Sequence, residues 1–383
     1  MINNLYKTWG VEKYAMLSNL KDTNGVFTCY ETVEDQLKSY TKEQYLKDPD
    51  LVTQEIFDIY RSVNVVPINY YTETGLVNAI RDLASRSVNP VKDNVLGLGN
   101  NIGQTINRFL FPNMMTAEPK GRGSNSLRDR FLDDVKLRRA ISICFKHRDG
   151  EYLASPTALR RALELVTGEN IQNFKAQNAR AIAEELCPVM WGNIYDYSAG
   201  YGGRMLGIRT SNMRYHYSCV DPNTETNTYL HYLDSLIEQA VGGNSQIHCA
   251  VSEEHEPHDI DLAFSSPPYF NLEKYSDEPT QCMVRYTTLD DWFEGYVVPT
   301  MKNIHRGLNS DGVFATNIAD YKSYGNQEYK VVERWIDTAK KVGFNYSKTI
   351  KMILNTRPGV GNNKTAGREK WEGIYVFTKN TMG

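Results

Sequence analysis

The chain has 383 residues, 41% apolar, 23% charged and 11% aromatic, with 25 tyrosines and a formal net charge of −3. Its length exceeds one ordinary small domain and suits two, with a sizeable core possible. The slight negative charge argues against a protein that coats nucleic acid by bulk electrostatics, so any phosphate-contacting surface has to be local. The six cysteines, Cys29, Cys144, Cys187, Cys219, Cys249 and Cys282, show no Cys-x-x-Cys spacing, so neither a zinc site nor a disulfide framework is expected and no metal is assigned. There is no basic leader and no apolar run long enough for a bilayer; the expectation is a soluble, cytoplasmic protein.

Taken in order, residues 1 to about 90 are rich in Tyr, Asp, Glu and Lys. Ile56, Ile59, Tyr60 and Val63 share one face of a helix that Pro67 closes, and a second helix after Thr72 turns Leu76, Ile80 and Leu83 inward. Over residues 97–125 the period fades among Gly97, Gly99, Gly103, Pro112, Pro119, Gly121 and Gly123, which predicts a lapse of regular structure. Lys120, Arg122, Arg128 and Arg130, followed by Lys136, Arg138 and Arg139, join flexible backbone to positive charge; they suit phosphate contact, or a solvated loop and helix start. Ser155 and Pro156 open a capped helix that Gly168 ends. The domain boundary is expected there, with a mainly helical domain over 1–168 and an α/β domain over 169–383.

Downstream, strand and helix alternate. A helix over 174–187 leads to a strand over 193–197, which runs into Ser198-Ala199-Gly200-Tyr201-Gly202-Gly203, a loop that lets a ligand approach backbone closely. The next strand ends in Asp221, about 20 residues beyond the glycines, where a carboxylate can accept both hydroxyls of a ribose. Met205 stands where a dinucleotide fingerprint needs glycine, so a cofactor without phosphates fits better. A strand over 246–250 precedes Ser252, and a strand over 260–265 runs into Ser266-Pro267-Pro268-Tyr269. Ligands of open parallel sheets bind outside the strands' carboxyl ends, so these four features are expected to converge. Consecutive prolines lack N–H groups and leave carbonyls short of partners. An exocyclic amine would fit between the Ser266 hydroxyl and the Pro267 carbonyl, with its ring on Tyr269; the plainer reading is a Pro-Pro turn.

From residue 174 to the C-terminus, about half the chain, the sequence resembles the S-adenosylmethionine-dependent amino-methyltransferases of nucleic-acid bases. The segment from Asp196 to Gly203 looks like their cofactor glycine motif, Asp221 like their ribose-binding acid, and Ser266-Pro267-Pro268-Tyr269 like their catalytic motif; the layout also looks like phage-encoded methylases. The resemblance implies a Rossmann-like seven-stranded sheet behind an N-terminal helical domain. It implies cofactor contacts from Asp196, Ser198, Ala199, Gly200, Gly202, Gly203, Asp221, Ser252 and Ser265, and from Phe174 by position only. The implied reaction moves a methyl group from S-adenosylmethionine to the amino group of a flipped DNA base, cytosine or adenine. A helix through Trp292 and Val297, a strand over 312–318, a helix over 329–342 and paired strands over 346–354 and 373–377 complete the expected sheet. Their joining loop offers Arg357, Lys364 and Arg368 to phosphates, or is a hairpin tip. The rivals are an RNA base or a protein glutamine as acceptor, and a catalytically idle binding module.

Overall fold

The computed structural model describes residues 1–11, 26–27, 31–119, 124–146, 148–167, 170–323, 327–354 and 370–379. Lys120, Arg122, Arg357, Lys364, Arg368 and the boundary residue Gly168 lie outside them. The chain divides into two compact units: Met1–Ala79 with Thr105–Gln172 and Glu273–Tyr275, and Ile80–Gln104 with Asn173–Leu272 and Ser276–Gly383.

The first unit is mainly helical. Helix Pro49–Val63 begins where the Asp48 carboxylate accepts the Leu51 N–H at 3.0 Å, with proline at its first position, and it buries Val52, Ile56, Phe57, Tyr60 and Val63. The Tyr60 hydroxyl donates to the Ala154 carbonyl at 2.6 Å, so the aromatic payload of that face is also tied by a polar bond. Helix Pro156–Thr167 is capped by the Ser155 hydroxyl, which accepts the Ala158 N–H at 3.3 Å. Of the stretch 97–125, residues 104–115 are more regular than the surrounding glycines suggest. Helix Gln104–Leu110 and a tight turn at Pro112–Met115 form there, because Ile106, Phe109, Leu110 and Phe111 are all buried.

Among the described residues, the second unit is built on one sheet of eight strands: β1 (Val95–Leu96), β2 (Asn193–Asp196), β3 (His216–Asp221), β4 (Ser245–Cys249), β5 (Ile260–Ser265), β6 (Leu308–Asn317), β7 (Phe344–Ile353) and β8 (Trp371–Lys379). The spatial order is β1-β7-β8-β6-β5-β2-β3-β4. Strands β4, β3, β2, β5 and β6 run parallel, and β8 is antiparallel to both β6 and β7. All seven strands read from the sequence form. The eighth, β1, comes from residues 80–104, which the sequence assigns to the helical domain. Three contacts place that segment in the second unit: β1 pairs with β7, Arg180 donates to the Ala84 and Arg86 carbonyls at 3.2 and 3.1 Å, and Lys175 donates to Gly99 O at 2.7 Å.

Connecting helices include α1 (Ala176–Leu186), α2 (Gly203–Arg209), α3 (Thr224–Val241), α4 (Val298–Gly307) and α5 (Val332–Val342). Trp292, Val297, Met301 and Trp335 pack with Phe314, Phe344 and Phe377 of the sheet in one apolar core. That burial of large rings holds β5 and β6 in register, and with them the loops at their carboxyl ends.

Candidate active site

Parallel pairing puts the ends of β2, β3, β5 and β6 on one edge of the sheet, with Asp196 opposite Cys219 and Ser265 opposite Thr316. Because β8 is antiparallel and sets Ile374 against Asn317, its first residues reach the same edge. The glycine loop, Asp221, the Ser-Pro-Pro-Tyr loop, Asn317 and Glu372 therefore share that edge.

Asp196 is completely buried and its carboxylate is fully used inside the unit. It accepts from Arg204 Nε at 2.8 Å and Nη2 at 3.2 Å, Tyr217 Oη at 2.7 Å, Ser265 Oγ at 2.6 Å and Ser198 N at 3.2 Å. Asp196 and Ser265, expected as cofactor contacts, are tied to each other beneath the loop: the Asp196 carboxylate has no acceptor site to spare, and the Ser265 hydroxyl gives its proton to Asp196. Gly200 and Gly202 adopt φ of 54° and 68°, the left-handed region that a Cβ disfavours. At Gly203 the constraint is space: a Cβ would come within 2.1 Å of the Phe174 carbonyl oxygen. Phe174 packs edge-on against Phe264 at 5.6 Å, and Asn173 Nδ2 donates to Tyr201 O at 2.9 Å, so the segment ahead of α1 is fastened to the glycine loop. Ala199 is held to β3 by its N–H on Val220 O at 2.9 Å.

Asp221 is buried but far less saturated. Oδ2 accepts the Gly200 N–H at 2.8 Å and Oδ1 the Asn223 N–H at 3.0 Å, which leaves each oxygen a lone-pair site. Burial pushes its pKa up to about 6, and those two N–H bonds only partly offset the rise. Ser252, also buried, shares a 3.1 Å hydrogen bond with Thr300, and its carbonyl accepts from Asn303 Nδ2 at 3.2 Å.

In the Ser-Pro-Pro-Tyr loop, Ser266 is half-buried and its hydroxyl donates to Asn317 Oδ1 at 3.3 Å. The Asn317 amide donates in turn to Gly373 O at 3.1 Å and to the Glu372 carboxylate, whose pKa is raised by burial and partly restored by that bond. The Pro267 carbonyl takes no hydrogen bond among the described residues. Tyr269 is half-buried; its hydroxyl accepts the Ala319 N–H at 3.1 Å and its ring meets Tyr321 edge-on at 4.8 Å. Tyr321 stacks on Tyr329 at 5.1 Å, and Asn271 bridges them, accepting from Tyr321 Oη at 2.9 Å and donating to Tyr329 Oη at 2.8 Å.

Sequence reasoning missed Asn317, Glu372, Arg204, Tyr321 and Tyr329. Only the polar end of β6, an Asn after Phe314-Ala315-Thr316, carried a signal. Glu372 reaches the edge through antiparallel pairing, which no local pattern encodes.

Of the expected phosphate-binding residues that are described, Arg128 is exposed. Arg130 is not: it is 1% exposed, and its Nη2 and Nη1 donate to Asn125 O at 2.8 Å and Leu163 O at 3.4 Å. Its role is inside the first unit, because helix Leu127–Leu132 turns that side chain toward helix Pro156–Thr167. Among the described residues no cluster suited to a metal ion occurs, and no helix is long and apolar enough to cross a membrane.

No family model matches the sequence, and no curated protein matches it. Solved structures similar in fold include a TehB-like SAM-dependent methyltransferase from Corynebacterium glutamicum, at 16% identity and a TM-score of 0.35 over 58% of this chain and 97% of that one. A methyltransferase from Pyrococcus furiosus gives 14% and 0.35 over 57% and 92%. The cyclase SpnF gives 10% and 0.37 over 53% and 81%. Likeness at this level does not fix an activity, which has to be argued from the site.

Proposed function

We propose that this chain is an S-adenosylmethionine-dependent methyltransferase whose acceptor is the exocyclic amine of a nucleic-acid base, with DNA as the first substrate to test. The observation that carries the reading is the shared sheet edge: a glycine loop, a buried carboxylate with spare lone pairs, and a Pro-Pro-Tyr loop with an unoccupied carbonyl. Gly200, Gly202 and Gly203 would lie along the cofactor's backbone-facing side, and Asp221 would accept the two ribose hydroxyls; the absence of a third fingerprint glycine agrees with a ligand lacking pyrophosphate. When bound, that cofactor supplies an electrophilic methyl group, so the protein's work is mainly positioning.

For the acceptor, hydroxyl orientation is decisive. Ser266 gives its proton to Asn317, so its lone pairs are left to face an incoming N–H. With the Pro267 carbonyl it offers two acceptors to the two N–H bonds of an amine, which aims the nitrogen lone pair outward. The Tyr269 ring, braced by Tyr321 and by the Ala319 N–H, provides a face for a base taken out of its stack. Asn317 and Glu372 are positioning residues in this scheme: a carboxylate on the Asn317 amide fixes which way that amide points. The helical unit is proposed to contribute recognition of the nucleic acid, with exposed Arg128 and Arg139 as phosphate contacts.

The test is incubation with labelled S-adenosylmethionine and unmodified DNA or RNA, followed by mass spectrometry of the nucleosides. Methylated cytosine or adenine from DNA is the expected result, and label in RNA alone would change the acceptor but keep the chemistry. Absence of transfer, together with no calorimetric heat for S-adenosylmethionine at millimolar concentration, overturns the assignment.

A further inference from the structure

Gln281 is 5% exposed, and its amide nitrogen is buried without a hydrogen-bond partner. Its backbone, by contrast, is fully used: the N–H donates to Glu278 O at 3.0 Å, and the carbonyl accepts from Val284 N and Arg285 N, both at 2.9 Å. The side chain does not cap the short helix Cys282–Arg285 that follows, and among the described residues no hydrogen bond reaches its amide oxygen. A buried amide left unpaired is costly, and such groups are rare unless something outside the chain completes them.

Its neighbours fix where it stands. The Glu278 carboxylate accepts the Thr224 N–H at 3.2 Å and the Thr280 hydroxyl donates to Pro222 O at 3.2 Å, so the chain before Gln281 is fastened to the turn just past Asp221. After it, Arg285 Nη1 lies 2.9 Å from the carboxylate of Glu253, the residue next to Ser252, and Tyr286 Oη donates to the same group at 2.6 Å. Gln281 is thus carried across the carboxyl ends of β3 and β4, from the Asp221 side to the Ser252 side. The sheet order there is β2-β3-β4. A nucleoside whose sugar is held by Asp221, with its substituent along the glycine loop after β2, therefore extends its base toward the end of β4.

We propose that Gln281 is a specificity-determining residue that reads the adenine of the cofactor; the inference rests on the S-adenosylmethionine reading given above. An amide side chain presents a donor beside an acceptor, and adenine presents a ring nitrogen beside an exocyclic amine, so the two pair edge to edge. The Gln281 N–H would go to the ring nitrogen, and its oxygen would accept from the amine. Asp221 holds the sugar whatever base is attached, and Gln281 selects the base.

Calorimetry of the full chain with S-adenosylhomocysteine, and with the analogue that lacks the exocyclic amine of its base, tests this. Wild type should bind the analogue about tenfold more weakly. Gln281→Met keeps the length and loses the amide; it should bind S-adenosylhomocysteine about tenfold more weakly than wild type and should treat the two ligands alike. Without ligand the variant should melt no lower than wild type, since it removes an unpaired polar group. A large loss of stability with affinity unchanged would make Gln281 a packing residue and overturns the proposal. Equal wild-type affinity for the two ligands, or undiminished discrimination in Gln281→Met, also overturns it and leaves the cofactor site standing. No binding of either ligand to wild type overturns the cofactor reading, and this inference with it. Should Gln281→Met fail to fold, the comparison of the two ligands on wild type decides alone.

Discussion

Asp196 and Asp221 end neighbouring parallel strands, yet the protein uses them in opposite ways. Asp196 takes five hydrogen bonds and faces the Arg204 guanidinium, so nothing remains for a ligand. Asp221 takes one backbone N–H on each oxygen and is left with a raised pKa. A buried carboxylate that is saturated builds the site; one that is buried and undersupplied is available to bind. The same contrast separates Arg130, tied to carbonyls in the interior, from Arg128, exposed on the same helix.

The strongest way to break the comparison is to remove the partner of Asp196. Arg204→Met leaves a buried carboxylate without its cation and should cost about 3–5 kcal/mol in urea unfolding. A loss below about 1 kcal/mol would show that Asp196 reaches water after all. Asp221→Ala should behave in the opposite manner. Stability should change little, while S-adenosylmethionine affinity falls by about 1.5–3 kcal/mol through loss of charged hydrogen bonds, as calorimetry would read; equal damage to stability and affinity would erase the distinction.

At the Ser-Pro-Pro-Tyr loop, Tyr269→Ala should lose about 1–3 kcal/mol of base stacking with cofactor affinity intact. From sequence alone, only the ring of Tyr269 had a use. The structure gives its hydroxyl the Ala319 N–H, so Tyr269→Phe should cost about 0.5–1.5 kcal/mol in single-turnover methylation rather than nothing.

A pH series sharpens the Asp221 claim. Its pKa is raised to about 6, so the ionised form that accepts hydroxyls prevails above that value and is lost as pH falls through it. Affinity at pH 5 should therefore be about tenfold below that at pH 7.5, or about 1.4 kcal/mol, and Asp221→Ala should flatten the profile. A flat wild-type profile would remove Asp221 from the binding site.

Much of this was legible in the residues. The strands ending at Asp196, Asp221, Ser265 and Asn317 carry short apolar runs closed by polar or turn-forming residues, and alternation with helices implied parallel pairing. The glycine loop could be read because left-handed φ and close approach demand a residue type. Other features could not be read, since pairing partners are remote. Residues 80–104 look like more of the helical region until Val95 meets Lys351, and the helix Gln104–Leu110 is masked by flanking glycines until Phe109 and Leu110 are seen buried.

The sequence alone determined the α/β class, seven of the eight strands, and the edge on which the glycine loop, Asp221 and Ser266 to Tyr269 converge, because local periodicity and special backbone angles are written in neighbouring residues. Tertiary structure alone decided which carboxylate is scaffold and which is free to bind, that Arg130 faces inward, and that Asn317 and Glu372 stand behind Ser266. Those outcomes depend on which donors and acceptors the fold brings together, several of them far apart in the chain: Ser265 reaches Asp196 across 69 positions, Asn317 reaches Ser266 across 51 and Arg130 reaches Leu163 across 33. Hydrogen-bond capacity is a property of a residue, but whether it is already spent is a property of the fold.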